Sequence, residues 1–288
     1  MRNPAPLAVV SLGIWFSQSA VAQLPSFTFT QLSAPFPNTD ETIAHGINDL
    51  GEVVGSYHDA TGDHGFVFRR GTYGSFDVPG GVGNTIGFGI NVWGEVVGRF
   101  NDVNGIVHGF LSWNKRFETL DPPFPGVSFT IASGINAEGD VVGWYVDAKG
   151  THGFLFERGR FFPIDAPFPG VTGTTAMGIN ALGQIVGTYG TSDGKIHAFL
   201  DDWGGFHNID SPTPGSPESV ANGINDRDQI VVGGAVLQHG QFFPFSAQLP
   251  NVNSTNALGI NNLDQIVGIY GTSLANGLEF SFLATPSR

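Results

Sequence analysis

The sequence predicts an all-β fold, a six-bladed β-propeller of four-stranded antiparallel blades, and three observations carry that expectation. First, Gly-Ile-Asn recurs six times, starting at Gly46, Gly89, Gly134, Gly178, Gly223 and Gly259, at steps of 43, 45, 44, 45 and 36 residues. Second, each copy is followed by a Gly-x-Val-Val-Gly-like run, and most by a His-Gly-Phe-like run and an Asp-x-Pro-like turn. Third, these runs are short, rich in Val, Ile, Phe and Tyr, and bounded by Gly, Asn, Asp or Pro, which is strand patterning without a helical period. A repeat of this length marks a unit that cannot bury its own apolar face and stacks on its neighbours. Four short strands in about 44 residues make a propeller blade.

The chain opens Met-Arg-Asn, continues with an apolar stretch over residues 5–16, and reaches Ala20-Val21-Ala22 before Gln23. A charged start, a short apolar core and an A-x-A site predict a secretory signal peptide over residues 1–22, cleaved after Ala22. The stretch is shorter than the roughly 20 apolar residues of a spanning helix, so no membrane span is expected. Residues 23–288 are read as one six-repeat domain, secreted or periplasmic and monomeric. The chain has no cysteine, so an apolar core supplied by 25 Phe must hold the fold without disulfides. The formal net charge of −13 opposes nucleic acid and anionic membranes, which require basic patches.

Within repeat three the four strands are predicted in the runs Thr130 to Asn136, Gly139 to Tyr145, His152 to Phe156, and Arg160 to Asp165. Asn-x-x-Gly, from Asn48 to Gly51 and from Asn136 to Gly139, has the residue order of a type I turn. Asp228 and Asp264 take the glycine position in repeats five and six. Arg70-Gly71, Arg158-Gly159 and Trp203-Gly204 are predicted as two-residue hairpin turns between the third and fourth strands. The mature chain begins with a fourth-strand pattern over residues 26–35 and ends with a third-strand pattern over residues 280–284, so the N-terminal strand is expected to complete the last blade. In repeat five, Val232-Gly233-Gly234-Ala235 replaces the whole connection between strands two and three, a connection expected to be a long loop elsewhere, as from Asp59 to Gly62 and Asp147 to Gly150.

On these residues the chain resembles the HAF-repeat family of bacterial extracellular repeat proteins. The naming triplet stands intact as His197-Ala198-Phe199, and as His-Gly-Phe beginning at His64, His108 and His152. The resemblance covers essentially all of the mature chain. It implies an exported bacterial repeat protein and brings no activity with it.

Two sets of residues are candidates for chemistry. Folding strand three onto strand four places His64 opposite Asp77, His108 opposite Asp121, His152 opposite Asp165 and His197 opposite Asp210. Repeat five has Gly233 and Ser246 at these positions, and the last blade has Phe280 and Ser33, so the pair is kept or lost as a unit. Such pairs can orient a base or a metal ligand, but cross-strand stapling is the expected role. The second set lies four residues before each Gly-Ile-Asn: Thr42, Thr85, Thr130, Thr174, Ser219 and Thr255. With the first strand of each blade innermost, these hydroxyls are the candidate ligand-binding ring on the axis. The alternative is ordinary strand propensity and a local backbone bond. Phe124 and Phe168, in Pro-Phe-Pro-Gly segments, are expected as lids between blades rather than exposed stacking platforms.

No zinc-protease, nucleophile-elbow or phosphate-loop motif occurs in the chain. One or two carboxylates per Asp-x-x-Gly loop fall short of a calcium site, so no metal and no cofactor is expected. The functional expectation is an exported, non-enzymatic binding or scaffold module for an extracellular glycan or protein. An enzyme acting on an extracellular polymer, hydrolase or lyase, and a purely structural envelope protein are the alternatives.

Overall fold

The computed structural model describes residues 23–202, 205–212, 218–273 and 279–287. The expected signal peptide and the Trp203-Gly204 turn lie outside the described residues. The chain folds as an all-β propeller, with no helix among the described residues. Thus no helix there is long and apolar enough to cross a membrane.

The N-terminal strand is β1 (Phe27–Leu32). Repeat one carries β2 (Glu41–Ile47), β3 (Val53–Asp59), β4 (Gly62–Arg69) and β5 (Thr72–Phe76). Repeat two carries β6 (Ile86–Ile90), β7 (Val96–Asn101), β8 (Val107–Trp113) and β9 (Arg116–Thr119). Repeat three carries β10 (Phe129–Ile135), β11 (Val141–Asp147), β12 (Gly150–Glu157) and β13 (Arg160–Ile164). Repeat four carries β14 (Val171–Ile179), β15 (Ile185–Thr191), β16 (Ile196–Asp201) and β17 (Phe206–Asn208). Repeat five carries β18 (Ala221–Ile224), β19 (Ile230–Val232), β20 (Ala235–Gln238) and β21 (Gln241–Pro244). Repeat six carries β22 (Val252–Ile260), β23 (Ile266–Thr272) and β24 (Glu279–Pro286).

Repeats one, two and five each form an antiparallel four-stranded sheet in sequence order. Repeats three and four do the same internally, and one parallel bridge between Thr151 and Gly173 joins them into a sheet of eight strands. The remaining sheet has the order β1-β24-β23-β22, with Phe27 opposite Pro286 and Leu32 opposite Ser281.

The core follows from strand alternation, in which successive side chains point to opposite faces. The first apolar residue of each Gly-x-Val-Val-Gly run packs within its own repeat, and the second packs into the next. Val54 belongs to the cluster of Ile90, Val96 and Phe110. Val142 belongs to that of Ile179, Ile185 and Phe199, and Val267 to that of Ile47, Val53 and Phe66. The Phe of each His-Gly/Ala-Phe triplet, at 66, 110, 154 and 199, is fully buried. Each such ring is worth about 1.5–3 kcal/mol of burial.

The turn readings hold where residues are described. Gly51 N donates to Asn48 O at 3.0 Å, and Asp228 and Asp264 take φ of 58°. Arg70-Gly71 and Arg158-Gly159 have positive φ at both residues, the type I′ geometry that suits the twist of a hairpin. One expectation is corrected. Asp59 pairs with Gly62 and Asp147 with Gly150, so the supposed long loops are strand ends closed by tight two-residue turns. Val232 pairs with Ala235 in the same way. In repeats two and four the connection is longer, with five residues between Asn101 and Val107 and between Gly190 and Ile196, so the expectation holds there. Against repeats one and three, repeat five differs by a middle hairpin shorter along both strands.

Candidate functional site

The His–Asp pairs meet. Nδ1 of His64, His108, His152 and His197 lies 2.9, 2.6, 2.9 and 2.6 Å from a carboxylate oxygen of Asp77, Asp121, Asp165 and Asp210. Each imidazole also lies against a strand-two ring, Tyr57, Phe100, Tyr145 or Tyr189, with centroids 5.0–5.4 Å apart. In repeat three Phe124 also packs on Tyr145 at 5.2 Å, and in repeat four Phe168 on Tyr189 at 4.7 Å. Those two Phe pack on the cores of their repeats, as lids do. The far nitrogen, Nε2, faces the hairpin turn: His64 reaches Thr61 Oγ1 at 2.8 Å, and His152 stands 3.3 Å from Asp147 Oδ1. Asp59 and Asp147 each also accept a turn amide at 2.7 Å, from Thr61 and Lys149. The triplet histidine thus ties strands two, three and four together at the rim of its own repeat.

The hydroxyl ring is a correction. Thr42, Thr174, Ser219 and Thr255 each accept a backbone N–H at 3.0 Å, from Ala34, Ala166, Ser211 and Ala247, and Thr85 accepts one at 3.2 Å from Val78. Each donor follows the outer-strand position that pairs with His, so the hydroxyl fastens one repeat's outer strand to the next repeat's inner strand. In repeat three the corresponding donor position is Pro122, which has no N–H, and Thr130 Oγ1 is buried without a partner. None of the six lines the central channel.

What does line the channel is the residue immediately before each Gly-Ile-Asn. Every inner strand shifts register there, between Ala44 and Gly46, Gly87 and Gly89, Ala132 and Gly134, Ala176 and Gly178, Ala221 and Gly223, and Ala257 and Gly259. Such a β-bulge re-aims a side chain. The six bulged residues are His45, Phe88, Ser133, Met177, Asn222 and Leu258, and all six line an axial cavity of about 380 Å³. Around the axis polar and apolar residues alternate.

Close glycine packing brings the inner strands together at this level. A Cβ on Gly46 would stand 2.4 Å from Phe88 O, and one on Gly259 3.0 Å from His45 O. The six isoleucines at 47, 90, 135, 179, 224 and 260 form a collar below the bulges and line a second, smaller cavity of about 90 Å³ on the far side. Below the collar runs a belt of buried asparagines. Nδ2 of Asn48, Asn91, Asn136, Asn180 and Asn225 donates to the main-chain oxygen of the next asparagine at 2.8–3.3 Å. Asn261 donates back to Asn48 O at 2.8 Å.

The larger cavity lies toward the starts of the inner strands, the end that also carries the middle hairpin turns. Two of its polar atoms, His45 Nε2 and Ser133 Oγ, are buried with no hydrogen-bond partner. Asn222 Nδ2 is held by Ala257 O at 2.9 Å. Burial holds the His45 imidazole down to about 4; the Arg99 charge adds to this and Asp63 opposes it. His45 is therefore neutral at ordinary pH. Phe88 packs edge-on against it at 4.8 Å.

No protein-family model matches the sequence, and no curated protein matches it. Among solved structures the chain is similar to a gluconolactonase from Xanthomonas campestris, at 11% identity and a TM-score of 0.52 over 92% of each chain. It is also similar to a mutant of the Aleuria aurantia lectin in complex with Fucα1-6GlcNAc, at 11% identity and a TM-score of 0.50, over 86% of this chain and 97% of that one. At such identities the likeness is one of fold, and the chain is a β-propeller that shares its architecture with both an enzyme and a sugar-binding protein.

Proposed function

We propose that the mature chain is an exported, non-enzymatic binding ring of the HAF-repeat type. Six blades, one per repeat, close when β1 completes the last, and an extracellular glycan or protein docks on the face around the larger axial cavity. The β1–β24 ladder and the asparagine belt that returns from Asn261 to Asn48 support the closed ring. One observation carries the binding reading. Six inner strands repeat the same frame, yet the bulge that faces the axis presents six different side chains, two with unpartnered buried polar atoms.

Binding is favoured over hydrolysis because no carboxylate lines that cavity, whereas glycoside hydrolysis works through a pair of them. The test is a thermal-shift panel of polysaccharides and oligosaccharides on the mature chain, followed by product analysis. Binding to the folded state raises the midpoint with concentration, and the ligand is recovered unchanged. Turnover of the ligand overturns the non-enzymatic reading, and a flat panel overturns the glycan.

A further inference from the structure

We infer that the larger axial cavity is a small-molecule site for an uncharged single-ring compound carrying hydroxyl groups at alternate ring positions. This rests on the binding reading for its face of the molecule and goes beyond it in naming a separate, low-molecular-weight ligand. At about 380 Å³ the cavity falls at the lower end of the roughly 300–1,000 Å³ of small-molecule pockets. Its polar side chains are His45, Ser133 and Asn222, set on every second blade position with Phe88, Met177 and Leu258 between them. Three hydrogen-bonding groups at alternate places around an axis, above an isoleucine floor, match a flat ring with substituents in a 1,3,5 relation.

The unsatisfied atoms make this a site rather than a gap. Ser133 is only 7% exposed, and its Oγ has no partner; His45 Nε2 has none either. Elsewhere along the channel, the asparagine belt satisfies its amides. A buried polar atom left unpaired costs about 1–3 kcal/mol; both atoms are closed to solvent as the side chains stand, so a ligand hydroxyl removes that cost by meeting them as the side chains turn toward the axis.

The same count selects the ligand. No Asp, Glu, Lys or Arg lines the cavity, so a charged ligand would lose its hydration against isoleucine without a counter-charge. A wholly apolar ring leaves Ser133 and His45 unpaired. A hexose carries more hydroxyls than the three side chains can meet, and the surplus ones would face Phe88, Met177, Leu258 and the isoleucines without a partner on the protein. A phenolic ring with two or three hydroxyls meets the polar groups and lays one face on the isoleucine collar.

The experiment uses the mature chain and calorimetry with benzene-1,3,5-triol and benzene-1,3-diol. Benzene-1,3,5-tricarboxylate and inositol are the comparators. The expected result is saturable one-to-one binding of the triol and diol, with neither comparator binding. Ser133→Ala and His45→Phe each weaken the triol by about tenfold, the equivalent of about 1.4 kcal/mol. Met177→Trp, which fills the cavity, abolishes binding while the melting transition persists. The assignment is overturned if no phenol binds at millimolar concentration, if inositol binds more tightly than the triol, or if Ser133→Ala and His45→Phe bind the triol as the parent does. A polysaccharide shift that survives in Met177→Trp together with absent phenol binding overturns the cavity alone. Phenol binding with a flat polysaccharide panel overturns the glycan partner alone.

Discussion

Replacing Asn180 by alanine tests whether the asparagine belt holds neighbouring repeats together. Asn180 is 3% exposed, and its side chain makes four hydrogen bonds. Its Oδ1 accepts from Leu182 N at 3.1 Å and from Gln184 N at 2.9 Å. Its Nδ2 donates to Gln184 Oε1 at 2.5 Å and across the repeat boundary to Asn225 O at 3.1 Å. The two amides belong to a surface turn and regain water when the side chain is removed, so each loses only the net worth of a hydrogen bond, about 1 kcal/mol. Asn225 O is buried and keeps the larger cost of a lost donor, about 1–3 kcal/mol. The expected loss is therefore about 3–5 kcal/mol, which in a domain of this size lowers the melting midpoint by roughly 10 °C. Urea unfolding followed by tryptophan fluorescence and circular dichroism measures it, with coincident transitions as the check that one free energy applies. Leu50→Ala, in the equivalent turn but 68% exposed, is the control and should change little. A loss below about 1 kcal/mol in Asn180→Ala refutes the belt as an inter-repeat tie.

Three further outcomes follow from the same geometry. A double-mutant cycle on His152 and Asp165 should give a coupling of about 0.5–1 kcal/mol, small because Asp165 is more than half exposed, and zero coupling removes the staple. Gly46→Ala should destabilise strongly or prevent folding, because its Cβ would meet Phe88 O at 2.4 Å; a variant that melts like the parent shows that the glycine contacts around the axis are loose. The neutral His45 adds an acid-side cost. Its folded value of about 4 lies below the ordinary 6.5 of a free imidazole, so its contribution is fully present above 6.5 and is lost as pH falls towards 4. A shift of that size is worth about 3 kcal/mol. His45→Gln should lose less stability than the parent between pH 6.5 and 4, and parallel pH profiles would refute the burial of that imidazole.

The architecture was legible because a propeller repeats its backbone demands. Each repeat needs a turn after its inner strand, hence Asn with Gly or Asp three residues on, and four of them bury the ring of the triplet Phe on the third strand. The His–Asp contacts were legible for the same reason: hairpin register turns a sequence sum into a cross-strand neighbour. What failed were inferences that needed a third dimension. The span from Asp59 to Gly62 looks like a loop by composition, yet the ladder runs through to Asp59 and Gly62 and leaves a two-residue turn. The turn asparagine looks sufficient as a local cap, and its second role, donating to the next repeat at a separation of 43 residues for Asn48, has no signature within one repeat.

The axial residues were missed for a more general reason. The Thr/Ser positions drew attention because they recur in all six copies, and recurrence in a ring reports what every blade boundary requires. Here that requirement is an acceptor for a neighbour's N–H, and Thr130, opposite Pro122, shows the residue retained by the pattern even where the donor is gone. A single ligand on the axis imposes the opposite pattern. It touches six equivalent positions with six different parts of its surface, so the residues that recognise it must differ between repeats while the frame around them stays constant. Identical backbones here present His45, Phe88, Ser133, Met177, Asn222 and Leu258 to one cavity, as the proposed site requires. The signal was in the sequence as a column of six unlike residues directly before an invariant Gly-Ile-Asn. In a repeat protein with one axial site, disagreement at a fixed place is the functional mark, and agreement is the structural one.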